Sequence, residues 1–153
     1  MTTSSTSIHA EESTLWRDML RAQVQISRRL QADMTTRHSL ALGAFDVLVR
    51  LGETPGGKLR MNDLADRVLL SRSGLTRLID RMQRGGLVQR VACDSDARGF
   101  YAVLTPEGRR RLDEATPTYR EGIRRHVLGR LDEEERETFA RILGKLGDPA
   151  SPG

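Results

Sequence analysis

The sequence has few of the residues on which several classes of protein depend. Cysteine occurs once in 153 residues, at Cys93, which excludes an intrachain disulfide framework and a cysteine-rich zinc site. The three histidines, His9, His38 and His126, lie far apart along the chain. The sequence has no nucleophile motif and no phosphate-binding glycine loop. These absences predict a protein that is not an enzyme and that uses no catalytic residue, metal or cofactor.

Long apolar runs are missing as well. No stretch approaches the roughly 18 apolar residues that cross a bilayer, and the Thr/Ser-rich residues 1–7 lack the apolar segment of a signal peptide. The sequence therefore predicts a soluble, cytoplasmic protein without a membrane partner. Aromatic residues make up only 4% of the chain, so its core must be aliphatic. A small monomer buries only part of its surface, and a second subunit would bury more.

Arginine is abundant, supplying 23 of the 25 basic residues. The formal net charge is +4, and it is unevenly distributed. Residues 58–111 hold twelve basic and six acidic residues, whereas residues 1–57 are neutral overall and residues 112–153 are net acidic. A basic middle segment indicates an anionic partner such as nucleic acid. The alternative is a surface on which arginine is merely frequent.

Apolar periodicity predicts long helices near both ends of the chain. Between about Glu11 and Met34, apolar residues recur on one face at helical spacing. A second long helix opens with a threonine cap and a proline and runs over about residues 105–130, bent near Pro117. Asp132 and Glu135 resemble a capping box for a last helix. The apolar stripe of that helix comprises Phe139, Ile142, Leu143 and Leu146.

The middle of the chain predicts shorter elements. A helix over about residues 42–51 precedes two short helices at about 62–68 and 71–84, joined by a tight turn at Leu69-Leu70. The hydroxyl of Ser71 caps the second short helix, and a pair of glycines ends it.

The period then changes to that of a β-hairpin. Segments 87–92 and 100–105 contain β-branched and aromatic residues, and the polar residues 93–99 form a loop between them. Two short helices followed by a hairpin predict a winged helix-turn-helix. The fold class is therefore mainly α with a small β-hairpin wing (α+β), and the flanking helices are too long to pack fully on so small a unit.

One face of the predicted helix at 72–84 is apolar, and the opposite face is polar and basic. A recognition helix enters the major groove of DNA and presents its N-terminal residues to base edges, where arginine can form a fork to guanine. The predicted base-contacting residues are Arg72, Ser73, Thr76 and Arg77. The alternative is a solvated surface helix, but the apolar short helix before it favours a helix-turn-helix.

The hairpin tip carries two acids and an arginine, Asp94, Asp96 and Arg98. Acids repel phosphate, so we interpret them as structural: an aspartate fixes the tight loop, or pairs with the arginine and aims it. Arg98 would then project into the minor groove, whose negative potential is enhanced where it is narrow and A·T-rich. The alternative is an ordinary surface hairpin with a local Asp–Arg pair.

Taken together, these segments resemble the MarR (multiple antibiotic resistance regulator) family of winged helix-turn-helix transcription regulators. The stretches that carry the resemblance are residues 64–82 with Gly86-Leu87-Val88, Asp96-Ala97-Arg98 followed by Leu104-Thr105, and Thr105-Pro106-Glu107-Gly108. The order of helices matches over about residues 12–146, and the specific motifs lie within about residues 61–108.

The resemblance implies a homodimer on a near-palindromic operator, with each winged domain meeting one half-site. Arg72, Ser73, Thr76 and Arg77 would occupy the major-groove positions, Arg98 would be the wing-tip arginine, and Asp96 would orient the wing. The implied domains are a helical dimerisation region at 11–40 and 106–147, a DNA-binding domain at 41–105, and disordered tails at 1–10 and 148–153.

Many members of this family release DNA when a small phenolic or other aromatic compound binds between the dimer helices and the winged domain. By this resemblance, the effector site would be lined by Trp16, Met19, Met34, His38, Phe45 and the start of the helix at Thr105. Such residues at helical spacing are also typical of plain core. Some relatives sense peroxide through a cysteine near the first helix, which has no counterpart here because Cys93 lies at the wing base.

The sequence thus predicts a sequence-specific regulator that binds double-stranded DNA as a homodimer, acts as a repressor and is released by a small aromatic effector. Two alternatives stay open: a regulator or activator that needs no ligand, and a winged-helix module that binds proteins. Alanine at Arg72, Arg77 and Arg98 together would separate DNA binding from protein binding, since a protein-binding module does not need those arginines.

Overall fold

The computed structural model describes residues 4–68 and 70–147. The chain divides into two compact units. Residues 33–119 form one unit, and the segments that precede and follow them form the other.

The described residues are mainly helical, with one small sheet. The elements in chain order are α1 (Ser4–His38), α2 (Leu42–Gly52), a 3-10 turn (Pro55–Gly57), β1 (Lys58–Arg60), α3 (Met61–Val68), α4 (Arg72–Arg84), β2 (Val88–Cys93), β3 (Asp96–Leu104), α5 (Pro106–His126), a 3-10 turn (Leu128–Arg130) and α6 (Glu133–Gly147). This order confirms the predicted fold class. Among the described helices, none is both long and apolar enough to cross a membrane.

The sheet is antiparallel and three-stranded, in the order β1-β3-β2. Strands β2 and β3 form the wing hairpin, and their register shifts between Ala92 and Cys93. Strand β1 pairs with the far part of β3, where Leu59 lies opposite Ala102. The predicted polar loop at 93–99 is wrong. Strand β2 extends to Cys93 and strand β3 begins at Asp96, so that the loop is only the turn at Asp94-Ser95.

The core of the 33–119 unit is mainly aliphatic, in line with the scarcity of aromatics. Its largest fully buried side chains are Phe45, Met34, Leu48, Leu51, Leu64, Leu75, Ile79, Val47 and Val88. The ring of Phe45 packs on that of Tyr119 with the centroids 4.7 Å apart. These contacts join α2, α3, α4 and the sheet with the end of α1 and the first part of α5. The compact unit at 33–119 therefore includes more of the chain than the DNA-binding domain predicted at 41–105.

The predicted disordered tail at 1–10 is wrong over residues 4–10, which belong to α1. Helix α1 also continues past the predicted end at Met34 to His38. Helix α5 ends at His126, and after Val127 a 3-10 turn covers Leu128–Arg130, the last residues of the stretch predicted to be helical. The predicted tail at 148–153 and one residue of the turn at Leu69-Leu70 lie outside the described residues.

Candidate nucleic-acid interface

Helix α4 separates an apolar face from a polar face, and its ends lie where the sequence predicts them. The Ser71 hydroxyl accepts a hydrogen bond from the Gly74 N–H at 3.1 Å, which confirms the predicted N-cap. At the other end the Gly85 N–H donates to the Arg81 carbonyl, and Gly86 has a φ of 74°, in the region that favours glycine. The buried face consists of Leu75, Leu78, Ile79 and Met82.

The four residues predicted to contact bases, Arg72, Ser73, Thr76 and Arg77, all have exposed side chains in the first half of α4. Two of them contact their own helix: the Thr76 hydroxyl donates to the Arg72 carbonyl at 2.8 Å, and Arg77 Nε donates to the Ser73 carbonyl at 3.4 Å. A guanidinium carries five N–H donors, so Arg77 can keep this contact and still form a fork to a base.

A recess of about 480 Å³ lies beside α4 and is also lined by residues of β1, α3 and the wing strands. Four arginines line it: Arg60, Arg72, Arg90 and Arg98. Thr76 and Asn62 add polar groups, and the buried Cys93 also belongs to its lining. One of the four arginines, Arg90, is paired with Asp80, and the positive charge of the other arginines favours an anion at this concave surface. The fold thus brings the start of the predicted recognition helix and the predicted wing arginine to one surface.

The two predicted wing residues, Asp96 and Arg98, both lie on strand β3. Arg98 lies on β3 and its side chain is exposed. Asp96 begins β3. The side chain of Asp96 lies outside the described residues, so its role in aiming Arg98 stays a prediction.

Two arginines of the recess, Arg60 and Arg90, were not among the sequence-predicted site residues. Arg60 Nη2 donates to the Ser95 hydroxyl in the hairpin turn at 3.0 Å, and its guanidinium lies 5.8 Å from the centre of the Tyr101 ring. Arg90 reaches from the wing to α4 and pairs with Asp80 at 2.7 Å. Both belong to the basic segment 58–111, but a charge count does not reveal which side chain an arginine contacts.

The junction between the wing and α5 explains the motif Thr105-Pro106-Glu107-Gly108. The Thr105 hydroxyl accepts a hydrogen bond from the Gly108 N–H at 2.9 Å and donates one to the Gly86 carbonyl at 2.6 Å. This confirms the predicted cap and ties α5 to the end of α4. A Cβ atom at Gly108 would lie 2.1 Å from the Leu87 carbonyl oxygen. Only glycine allows this close approach of the two backbones.

The residues predicted to bind an effector have different environments. Met34 and Phe45 are 0% and 2% exposed in the core of the 33–119 unit. His38 Nε2 lies 2.7 Å from the Thr118 hydroxyl, within the same unit. Trp16 belongs to the other unit and is 58% exposed. Met34 and Phe45 offer a ligand no surface in this conformation, so the effector site stays a prediction that requires the core to open.

No described group of three or more His, Cys, Asp or Glu side chains is arranged to hold a metal ion. Two described carboxyl groups with a shifted pKa, those of Glu107 and Asp46, lie outside the lining of the recess. A hydrogen bond from Arg110 lowers the pKa of Glu107 at the start of α5, and burial raises the pKa of Asp46 in α2. The arginines that line the recess make it suited to binding an anionic partner.

Curated proteins with similar sequences are regulators of transcription. The MarR family model matches residues 33–99. The transcriptional repressor YetL of Bacillus subtilis is 31% identical over 107 residues, which are 70% of this chain and 64% of YetL. The match thus spans just under two thirds of YetL. The homoprotocatechuate degradative operon repressor of Escherichia coli is 34% identical over 107 residues, which are 70% of each chain.

Solved structures with the same fold include regulators from Streptomyces coelicolor. The MarR family regulator AbsC has a TM-score of 0.82 and 31% identity, over 90% of this chain and 92% of its own. Another MarR family regulator of that organism, solved in complex with DNA, has a TM-score of 0.85 and 30% identity, over 94% of this chain and 90% of its own. The similarity therefore extends well beyond the central motifs.

Proposed function

The chain belongs to the MarR family of transcription regulators, and we propose that it binds operator DNA as a homodimer, represses transcription and is released by a small aromatic compound. Members of this family are regulators and not enzymes, in agreement with the sequence prediction. A regulator of this kind works on DNA in the cytoplasm, and we propose that location for this chain.

The observation that carries the proposal is the arginine-lined recess beside the exposed start of α4. Arg72 and Thr76 from α4 and Arg98 from the wing line one surface. In a winged helix-turn-helix, the recognition helix enters the major groove. We therefore assign α4 to the major groove and Arg98 to the adjacent minor groove, where arginine meets an enhanced negative potential.

The proposed homodimer accounts for apolar side chains that one copy leaves in water. Leu15 and Trp16 in α1 are 74% and 58% exposed, and Leu143 and Leu146 in α6 are 49% and 68% exposed. Large apolar patches on a soluble protein mark interaction surfaces. A two-fold symmetric dimer buries the same patch on both copies and presents two recognition helices to a near-palindromic site.

Repression and release are supported by the relatives. YetL and the homoprotocatechuate degradative operon repressor are both named as repressors. The second name refers to an operon for the degradation of homoprotocatechuate, which is a phenolic acid. Phenolic acids are the chemical class that we propose as effector. The effector would act by binding the DNA-free arrangement of the dimer more tightly than the DNA-bound one. Trp16, Met34, His38 and Phe45 are the proposed contacts.

The first experiment measures binding to the DNA upstream of the protein's own gene, against scrambled DNA, across a salt series. We expect binding well above that to the scrambled duplex, at one dimer per site and falling steeply with salt as phosphate contacts are lost. Alanine at Arg72, Arg77 and Arg98 should abolish it. Alanine at Arg120, Arg124 and Arg141, which removes the same charge from other exposed positions, should not.

The other outcomes of this experiment are equally informative. Equal, weak binding to both duplexes would mean that the operator lies elsewhere or that the basic face binds DNA without sequence specificity. No binding at low salt would contradict the proposal and favour a winged-helix module that binds proteins. Phenols and aromatic acids are then added to the complex, and failure of all of them to release DNA would favour a ligand-independent regulator.

A further inference from the structure

Arg90 lies on the wing strand β2, but its guanidinium points back to helix α4. Its Nη2 atom is 2.7 Å from Oδ1 of Asp80 and 3.3 Å from the carbonyl oxygen of Thr76. The side chains of Arg90 and Asp80 are 27% and 43% exposed, so that the pair is partly shielded from water. A single side chain therefore ties the wing to two consecutive turns of the helix.

One contact of the Arg90 guanidinium is with an ionised carboxylate, and the other is with a carbonyl of the helix backbone. A charge-assisted hydrogen bond is stronger than one between neutral groups. The carbonyl that Arg90 contacts belongs to Thr76, one of the residues proposed to meet bases. The contact therefore fixes the backbone at the part of α4 where its position matters most for reading DNA.

The wing needs such support because its outer part is a two-stranded ribbon. Strand β1 pairs with β3 only at residues 101–103, so the hairpin from Phe100 to the turn is paired with β2 alone. An isolated two-stranded hairpin is marginally stable in water. Arg90 itself pairs with Ala102, in the part of β3 that β1 also joins, so its contact with Asp80 holds the base of this ribbon against α4.

We propose that Arg90 and Asp80 are positioning residues that hold the wing at a fixed angle to α4. Arg90 does not contact DNA in this arrangement. The pair, which we call the Arg90–Asp80 brace, keeps Arg98 and the start of α4 at the spacing at which both reach their grooves in one complex. Orienting both elements before binding reduces the conformational freedom lost when DNA binds. This consequence rests on the proposed function, whereas the brace itself belongs to the free protein.

Backbone hydrogen exchange of the free protein tests the brace without DNA. The variants are Asp80→Asn and Arg90→Gln, and the control is Arg81→Gln, which removes the same positive charge as Arg90→Gln from an exposed position on α4. We expect faster exchange at the wing tip and the first half of α4 in both brace variants and not in the control. Unchanged exchange, or a uniform rise throughout the 33–119 unit, would overturn the proposal.

The sign of the Asp80→Asn effect on DNA binding distinguishes the brace from simple charge. Removing a carboxylate from a surface that faces phosphate should strengthen binding if only charge matters. The brace instead predicts that Asp80→Asn weakens binding about three- to five-fold, the range expected for a partly exposed ion pair. Arg90→Gln should lose as much DNA affinity as Asp80→Asn. The double variant should lose no more affinity than either single variant, because the two residues act as one pair.

The salt dependence provides the remaining readout, on a duplex that the wild-type protein selects from a random-sequence library. Arg90→Gln should leave the negative slope of log K against log salt unchanged, whereas loss of a phosphate contact makes that slope less steep by about 0.9. A less steep slope, or tighter binding by Asp80→Asn, would show that Arg90 contacts DNA and would overturn the proposal. If the wild-type protein selects no duplex, the proposed function fails, and hydrogen exchange alone decides whether the brace exists.

Discussion

The arginines of the basic segment differ in what they contact, and this difference determines their roles. Arg72 and Arg77 have exposed side chains at the start of α4, which makes them suited to contacts with DNA. Arg60 and Arg90 contact Ser95 and Asp80 and thereby attach the wing to its surroundings. The arginines of this segment thus divide into those that we propose to bind DNA and those that we propose to position the wing.

Arg98 provides the test at the scale of a residue. We expect Arg98→Ala to weaken DNA binding about ten-fold, chiefly through A·T-rich flanking positions, because one minor-groove contact is lost. Because its side chain is exposed, the melting temperature should hardly change. Titration of labelled duplexes with and without A·T-rich flanks measures the effect, and thermal unfolding measures stability.

The matched control for Arg98 is Gln89→Ala, an exposed side chain on the wing strand β2. It should bind both duplexes as the wild-type protein does. A large fall in the melting temperature of Arg98→Ala would contradict the role at the wing tip, since the residue would then stabilise the fold.

At the scale of elements, side-chain caps determine where α4, α5 and α6 begin. Ser71 and Thr105 cap α4 and α5 as the sequence predicts. Before α6, the Asp132 N–H donates to the Glu135 carboxylate and the Glu135 N–H donates to the Asp132 carboxylate, both at 2.9 Å, which confirms the predicted capping box. Each cap joins residues three apart, so short sequence motifs suffice to find it.

The close approach of α5 to the start of β2 depends on Gly108. We expect Gly108→Ala to lower the free energy of unfolding by about 1–3 kcal/mol, because the added methyl group would overlap the Leu87 carbonyl and force the backbones apart. Chemical denaturation measures the change. Since α5 then shifts against the wing, DNA affinity should fall as well.

Gly144→Ala is the control for this substitution, because a Cβ atom at Gly144 would meet nothing within 4 Å. It should stabilise α6 by up to about 1 kcal/mol through helix propensity. A Gly108→Ala protein as stable as the wild type would refute the packing argument.

At the scale of the whole molecule, the apolar side chains on α1 and α6 set the expected assembly. Leu143 is 49% exposed in one copy, and its neighbours Phe139, Ile142 and Leu146 share the stripe. We expect Leu143→Asp to convert the dimer into a monomer, because dimerisation would bury an unpaired charge among apolar groups. Light scattering gives the mass directly.

The control for dimerisation is Arg141→Asp, an exposed position on the opposite side of α6, which should leave the dimer intact. A Leu143→Asp protein that still scatters as a dimer would mean that α6 does not form the interface. The monomer should also bind a two-half-site duplex more weakly, since each copy then meets only one half-site.

The sequence by itself determined the order of the helices, their caps and the two faces of α4, because neighbouring residues set caps and periodicity. It also determined which residues of α4 and the wing carry the family resemblance. It mispredicted residues 4–10, whose serine and threonine residues have low intrinsic helix propensity and yet continue α1. The caps and the two faces of α4 could be predicted because each depends on residues only a few positions apart in the sequence.

Tertiary structure alone decided the features that join distant parts of the chain. Strand β1 has three residues, too few for a periodic pattern, and is defined by its pairing with residues 101–103 of β3. The Arg90–Asp80 pair and the fit of Gly108 against Leu87 likewise join separate elements. Such contacts depend on the fold as a whole, because packing brings together residues that no local pattern relates.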